Sequence, residues 1–286
     1  ANKLQGSQAM DAAASAAIQW PRAQWWQDLH DPQLNRLMEQ ALADSPTLRG
    51  AQARVRQAEA LAGAAEDKTR PQADANVSIN RELYSQHGST PAPLAGNYAW
   101  RNQATVTASY DLDLWGRNRA ALSAALGDVQ LASAESQMAR LALETALVRT
   151  YIQLSYEFQL QDVIERSLAQ RARILDITRQ RKAAGIGTDI DVAQIETTLP
   201  AGRRQLEQSA ESLALLRNQL AALAGKGPAA GAALTRPVLR LDQPLAIPAA
   251  LPADLIGRRP DVAAQRWRVE AAAQRIDAAK AEFYPN

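Results

Sequence analysis

The 286-residue chain has no cysteine, two histidines and two phenylalanines, and only 5% of it is aromatic. The missing cysteine excludes disulfides, thiol catalysis and cysteine-zinc sites. His30 and His87 each stand without the neighbouring ligands or bases that a metal centre or a catalytic triad requires. No segment approaches the roughly 20 consecutive apolar residues of a membrane-spanning helix, and no signal-peptide pattern opens the sequence. An excess of charge of one sign is also lacking. The 32 basic and 30 acidic residues are interspersed for a net charge of +2, which suits solvated helix faces and gives little support to nucleic-acid binding. No cofactor is expected, and an enzyme is disfavoured because no active-site constellation is present.

What is abundant is alanine, set among arginine, glutamine, glutamate and leucine, a composition that favours helix along most of the chain. A distant self-similarity runs through it. Pro46–Pro71 matches Pro260–Pro285, with Arg54-Val55 falling on Arg268-Val269 and Ala64-Ala65 on Ala278-Ala279. The spacing is too long for a solenoid module. It predicts a duplicated half-protein that holds one whole repeat and the first helix of a second.

Within that frame the chain divides into four parts. Residues 1–45 form an N-terminal segment with a tryptophan cluster (Trp20, Trp25, Trp26) and a short amphipathic helix over about 31–43. Residues 46–225 form the first repeat. Residues 226–258 are a Pro/Gly-rich connection, and 259–286 open the truncated second repeat. In the first repeat a helix over 46–71 begins at Asp44-Ser45-Pro46, a capping side chain followed by proline. A helix over 116–184, about 100 Å long, carries Leu147, Leu154, Leu168 and Leu175 on a heptad spacing. A helix over 188–224 carries Leu199, Leu206, Leu213 and Leu220 likewise. Sustained heptads imply antiparallel coiled-coil packing. Pro200 is expected to kink the later helix or remove one of its hydrogen bonds. The turn between the two helices, Ala184-Gly185-Ile186-Gly187-Thr188, suits a left-handed cap followed by a Thr188/Asp191 capping box.

The segments 73–86 and 98–114 break the helical pattern. Their apolar residues alternate with polar ones, as in two half-buried strands, around a Gly/Pro/Ser/Thr loop over 86–97. A hairpin with Val77 opposite Val106 and Ala75 opposite Ala108 gathers both apolar sets on one face. A slip of two residues preserves that parity. Val77, Ile79, Trp100, Ala104, Val106, Ala108, Tyr110 and Leu112 are then lipid-facing candidates, broken only by Arg81 and Asn102 near the loop. Asp111 and Asp113 fall on the polar face. Residues 104–114 are close to the length of a tilted transmembrane strand, and Tyr98, Trp100 and Tyr110 suit an aromatic girdle. One hairpin alone leaves its edges unpaired in lipid, so the reading requires several hairpins closed into a barrel. The fold class is thus mostly α with a β-hairpin: long antiparallel coiled-coil helices plus transmembrane strands. A soluble coiled-coil adaptor or scaffold is the alternative; it accounts for the heptads and not for the two-faced strands.

Several motifs carry a family resemblance: Asp31-Pro-Gln-Leu34, Tyr110-Asp-Leu-Asp-Leu-Trp-Gly-Arg117, Ala184-Gly-Ile-Gly-Thr-Asp-Ile-Asp-Val192, and Leu251-Pro-Ala-Asp-Leu-Ile-Gly-Arg-Arg-Pro-Asp-Val262 continuing to Pro285. From about Trp26 onward the chain resembles the TolC-like outer-membrane efflux proteins of the OprM/NodT branch. The resemblance implies a protomer of an α-barrel/β-barrel channel: a homotrimer in the Gram-negative outer membrane, extending into the periplasm. It implies a passive exit duct for small toxic molecules, working with a periplasmic adaptor protein and an inner-membrane transporter. It also places Ala184, Gly185, Ile186, Gly187 and Thr188 at a tip that docks the adaptor. In such a family each protomer supplies four strands. Three copies of this sequence would supply half the barrel, so the 286 residues by themselves are not expected to form the usual open channel. The lipidated cysteine of many members is not found in it.

Overall fold

The computed structural model describes residues 24–240, 257 and 259–285. The expectations for residues 1–23, including Trp20, lie outside the described residues. So do those for 241–256, with the first six residues of the Leu251–Val262 motif, and for Arg258.

A 3-10 turn at Trp25–Leu29 precedes α1 (Pro32–Asp44) and α2 (Pro46–Asp67). Strands β1 (Gln72–Leu83) and β2 (Tyr98–Ser109) form one antiparallel pair. Next come α3 (Arg117–Ala183), α4 (Asp189–Glu196), α5 (Thr198–Leu223), α6 (Pro228–Ala232) and α7 (Pro260–Ala281). The chain separates into two compact units, one built from residues up to 52 with 135–260, the other from 53–134 with 261–286.

The first unit holds the larger apolar core. Trp26, Leu34, Leu37 and Met38 from the N-terminal segment meet Leu147, Tyr151 and Leu154 of α3 and Leu213, Leu216 and Leu220 of α5. The heptad leucines of the seam are therefore buried where the three segments meet. Toward the tip Leu168, Leu199 and Leu206 are only half-buried. A single carboxylate organises the polar part of this core. Asp31, 3% exposed, caps α1 by accepting from the Gln33 and Leu34 amides at 2.8 and 3.4 Å. It also accepts from the Tyr151 hydroxyl at 2.9 Å and the Val238 amide at 2.8 Å. Gln33 extends the knot, donating to Tyr151 Oη at 2.8 Å and accepting from the Thr235 amide and hydroxyl at 3.0 and 2.8 Å. Burial, more than the carboxylate beside it, pushes the Tyr151 hydroxyl pKa well above the ordinary tyrosine value.

The second unit has a core of alanine. Ala62, Ala124, Ala134, Ala264 and Ala271 are buried. A Cβ placed on Gly127, the only glycine of α3, would lie 3.1 Å from that of Ala271. Small side chains let the helix backbones approach closely, which gives the alanine-rich composition its structural use. The two copies of the repeated segment fold alike: α2 and α7 are both 22 residues long and begin and end at corresponding positions.

Several boundaries depart from the sequence reading. The 46–71 helix ends at Asp67, because the Thr69 hydroxyl and amide both bond the Glu66 carbonyl and Pro71 disfavours helix at the residue before it. The helix expected over 188–224 is two helices, α4 and α5, parted at Thr197. Pro200 is the cause. It has no N–H for the Glu196 carbonyl and its ring crowds that carbonyl, so the earlier helix ends at Glu196 and the interruption falls three residues ahead of the proline. The 98–114 strand stops at Ser109 and the 73–86 strand at Leu83, with one further backbone pairing from Tyr84 to Asn97 at 3.1 Å.

Replacing Tyr151 by phenylalanine takes one donor from the buried Asp31 carboxylate and one of two acceptors from the Gln33 amide, which keeps the Thr235 carbonyl at 3.1 Å. We expect a loss of about 1–3 kcal/mol, read as an earlier denaturant midpoint with an unchanged slope.

Candidate functional site

The hairpin is the first candidate, and its register sets its chemistry. Ala73 lies opposite Ala108, Ala75 opposite Val106, Val77 opposite Ala104, Ile79 opposite Asn102, Arg81 opposite Trp100 and Leu83 opposite Tyr98. This pairing is shifted by two residues from the one expected, which set Val77 against Val106. Parity is kept, so the same residues share a face. Arg81 therefore faces Trp100 and not Asn102. Its guanidinium carbon lies 5.2 Å from the Tyr98 ring centre and 5.9 Å from that of Trp100. The extra aromatic contact is a physical reason for the slip, since directly opposed and diagonal pairs are the unit of sheet stability.

The apolar face is open in the single chain. Val77, Ile79, Trp100 and Val106 are 65–79% exposed, and Ala104 and Ala108 are exposed beside them. The opposite face carries Asp74, Asn76, Ser78, Asn80, Gln103, Thr105 and Thr107, with an Arg101–Glu82 ion pair at 3.7 Å. Among the described residues the two strands pair only with each other. Each keeps an unpaired edge, and an isolated two-stranded ribbon is marginal in water.

Tyr110 and Leu112 lie beyond the end of β2 and are exposed. They belong to the junction between β2 and α3, together with Asp111 and Asp113, which bear no relation to the polar strand face expected for them. Asp113 adopts a left-handed φ of 46° and Gly116 one of 75°. Gly116 sits at the N-cap position and has no side chain to cap α3. Asp113 supplies the cap from three residues earlier, accepting from the Asn118 and Arg119 amides at 2.9 and 3.0 Å and from Arg119 Nε at 3.2 Å. Asp111 accepts from the Asp113 amide at 3.0 Å, Asn118 Nδ2 at 3.0 Å and the Arg117 guanidinium at 3.1 Å. Burial pushes the Asp113 carboxyl up, but the Asn118 and Arg119 donors together outweigh it and hold its pKa below the usual value. The Asp113 amide, then Asn118, do the same for Asp111. Trp115 adds an aromatic clamp. Its indole donates to the Pro285 carbonyl at 2.8 Å and stacks on Tyr284 at 4.7 Å.

The second candidate is the turn Ala184–Thr188. Gly185 has φ 76°, and its amide and that of Ile186 bond the Lys182 and Arg181 carbonyls at 2.9 Å, the closing pattern of a Schellman cap. Thr188 and Asp191 form the reciprocal capping box of α4, Asp191 taking the place of the usual glutamate. The Thr188 hydroxyl, then its amide, lower the Asp191 pKa. Lys182 pairs with Asp189 across the turn. These bonds close the turn, while Ile186 and Ile190 stand 70% and 76% exposed.

Among the described residues no group of three His, Asp or Glu side chains is placed to hold a metal ion, and no helix is long and apolar enough to cross a membrane. What the structure offers is a two-faced strand pair, a capped junction and a capped tip.

Residues 37–226, more than half of the chain, match the outer membrane efflux protein family. The chain belongs to that family. It is 44% identical over 289 residues to the fusaric acid resistance protein FusA of Burkholderia cepacia, covering 100% of this chain and 54% of that protein. It is 32% identical over 279 residues to the multidrug resistance outer membrane protein MdtP of Escherichia coli K12, covering 95% and 57%. The crystal structure of the outer membrane protein VceC of Vibrio cholerae superposes with a TM-score of 0.80 at 34% identity, covering 93% of this chain and 62% of that one. The chain spans a little over half the length of these curated relatives. The fold is that of a TolC-like channel protomer, and the family's location is the Gram-negative outer membrane.

Sequence reasoning singled out the hairpin and the tip turn as segments and missed three side-chain roles. Arg81 looked like a mere interruption of the apolar face, Asp113 like a strand residue, and Trp115 like part of a motif. The Asp-x-x-Gly-Arg spacing at 113–117 was the available signal for a displaced cap.

The capping role of Asp113 makes the junction acid-sensitive. A carboxylate whose pKa is lowered by folding contributes stability above its unfolded pKa of about 3.9, and loses that contribution as pH falls through the lower folded value. Amide exchange at Asn118 and Arg119 is expected to accelerate in that acid range in the native protein. In Asp113→Ala it is expected to be fast already at neutral pH.

Proposed function

We propose that the complete polypeptide is the outer-membrane channel of a tripartite efflux system. Three protomers close their hairpins into a β-barrel, and the long helices line a periplasmic tunnel. A periplasmic adaptor docks on the Ala184–Thr188 tip, and an inner-membrane transporter supplies the energy. The channel is a passive duct, and the choice of cargo is made upstream.

The observation that carries this reading is the hairpin's sidedness. Both apolar sets share one open face, polar and charged side chains cover the other, and neither edge has a partner among the described residues. Closure with neighbouring hairpins satisfies the edges, lipid covers Val77, Ile79, Trp100, Ala104, Val106 and Ala108, and water fills the polar side. Arg81 gives the band a limit, since a cation on a barrel's lipid face costs about 2–4 kcal/mol at mid-bilayer and about 0–1 near the interface. Similarity to the fusaric acid resistance protein supports small organic toxins as cargo. The exposed Ile186 and Ile190 on a rigid turn support docking by packing, where small neighbouring residues allow close approach.

Nitroxide labels at Val77 and Val106 of the full-length protein in outer membrane are expected to collide with oxygen dissolved in acyl chains, and labels at Thr105 and Thr107 with a water-soluble relaxant. The reverse pattern would reject the barrel. At the tip, Gly185→Trp forces a bulky residue into a left-handed conformation at the proposed contact. It is expected to cut adaptor crosslinking and toxin resistance at least tenfold with trimer abundance unchanged; undiminished crosslinking would remove the tip from the docking surface.

A further inference from the structure

We propose that Arg81 is a binding site for a lipid-borne phosphate, built with Tyr98 and Trp100 at the loop end of the hairpin. The inference rests on the barrel reading and goes beyond it by assigning one residue a ligand. Arg81 is the sole charged residue on the apolar face of the strand pair. Among the described residues it forms no ion pair: the neighbouring acid, Glu82, lies on the opposite face and pairs with Arg101. Arg81 is instead held over two aromatic rings. Its N–H donors have no protein acceptor among the described residues.

A guanidinium presents donors in a fork that matches two oxygens of a phosphate. On a lipid-facing surface the only abundant anions are headgroup phosphates, so charge complementarity selects them. Position agrees. Arg81 lies two pairs from Leu83–Tyr98, the last pair of the ladder. This is the end remote from the helices, where the strands meet the outer leaflet and aromatic residues favour the headgroup level. Trp100 and Tyr98 thereby serve both as interfacial anchors and as the platform that aims the cation.

Native mass spectrometry of the full-length trimer, released from nanodiscs, tests the site. Discs of phosphatidylcholine alone, with phosphatidylglycerol, or with lipid A distinguish a phosphodiester from a phosphomonoester source. Arg81→Gln is expected to reduce retained phospholipid or lipid A at least fivefold, and Arg81→Lys to reduce it less. Arg101→Gln, a loss of the same charge from the polar face, is expected to have no effect. Trp100→Leu is expected to fall between Lys and Gln. Equal retention by Arg81→Gln and the native protein, or an equal loss in Arg101→Gln, overturns the site. Displacement of the lipid by millimolar inorganic phosphate overturns its assignment to lipid. A nitroxide at Val77 in the same samples separates the two readings. If it contacts acyl chains while Arg81→Gln retains lipid, only this inference fails; if it contacts water, the barrel fails too.

Discussion

Alternation along two strands is the constraint from which the candidate surfaces follow. Successive side chains of a strand point to opposite faces, so any register with the right parity collects Val77, Ala104, Val106 and Trp100 on one side and Asn76, Thr105 and Thr107 on the other. A slip of one residue would mix the sets and leave neither a lipid surface nor a wet one.

The junction shows how the chain changes from one regime to the other. At Ser109 the ladder ends, although the alternation of apolar residues runs on to Leu114. Two aspartates decide the matter. Turned inward, Asp111 and Asp113 satisfy the first amides of α3 and the guanidinium groups of Arg117 and Arg119. A strand continuing to Leu114 would give up those charge-assisted bonds, each stronger than a neutral one. Local electrostatics outbids side-chain periodicity over these five residues.

That competition also explains what was legible in the sequence. Periodicity identifies the hairpin, the long helix and the leucine seams, because each is repeated many times along the chain. The two glycines and Thr188–Asp191 reveal the tip turn, because its conformation requires those residues locally. A register choice between two same-parity pairings is invisible in this way, since both gather the same faces; the Arg81 contacts with Tyr98 and Trp100 distinguish them. Pro200 marks an irregularity in the later helix, but the sequence does not show that the chain parts into two helices at Thr197. The Asp31 knot was out of reach, because Tyr151, Thr235 and Val238 are distant in sequence and bear no pattern that marks them as partners.

Those distances have a kinetic meaning. The Asp31 carboxylate waits for an amide 207 residues later in the chain. At roughly 5–20 residues per second the ribosome needs on the order of 10–40 s to supply it. Throughout that interval the N-terminal segment, with Trp26 and Met38, lacks the cover that the finished core provides. Closing the knot therefore waits until Val238 has emerged, and the growing polypeptide depends on something other than its own core to stay unaggregated until then.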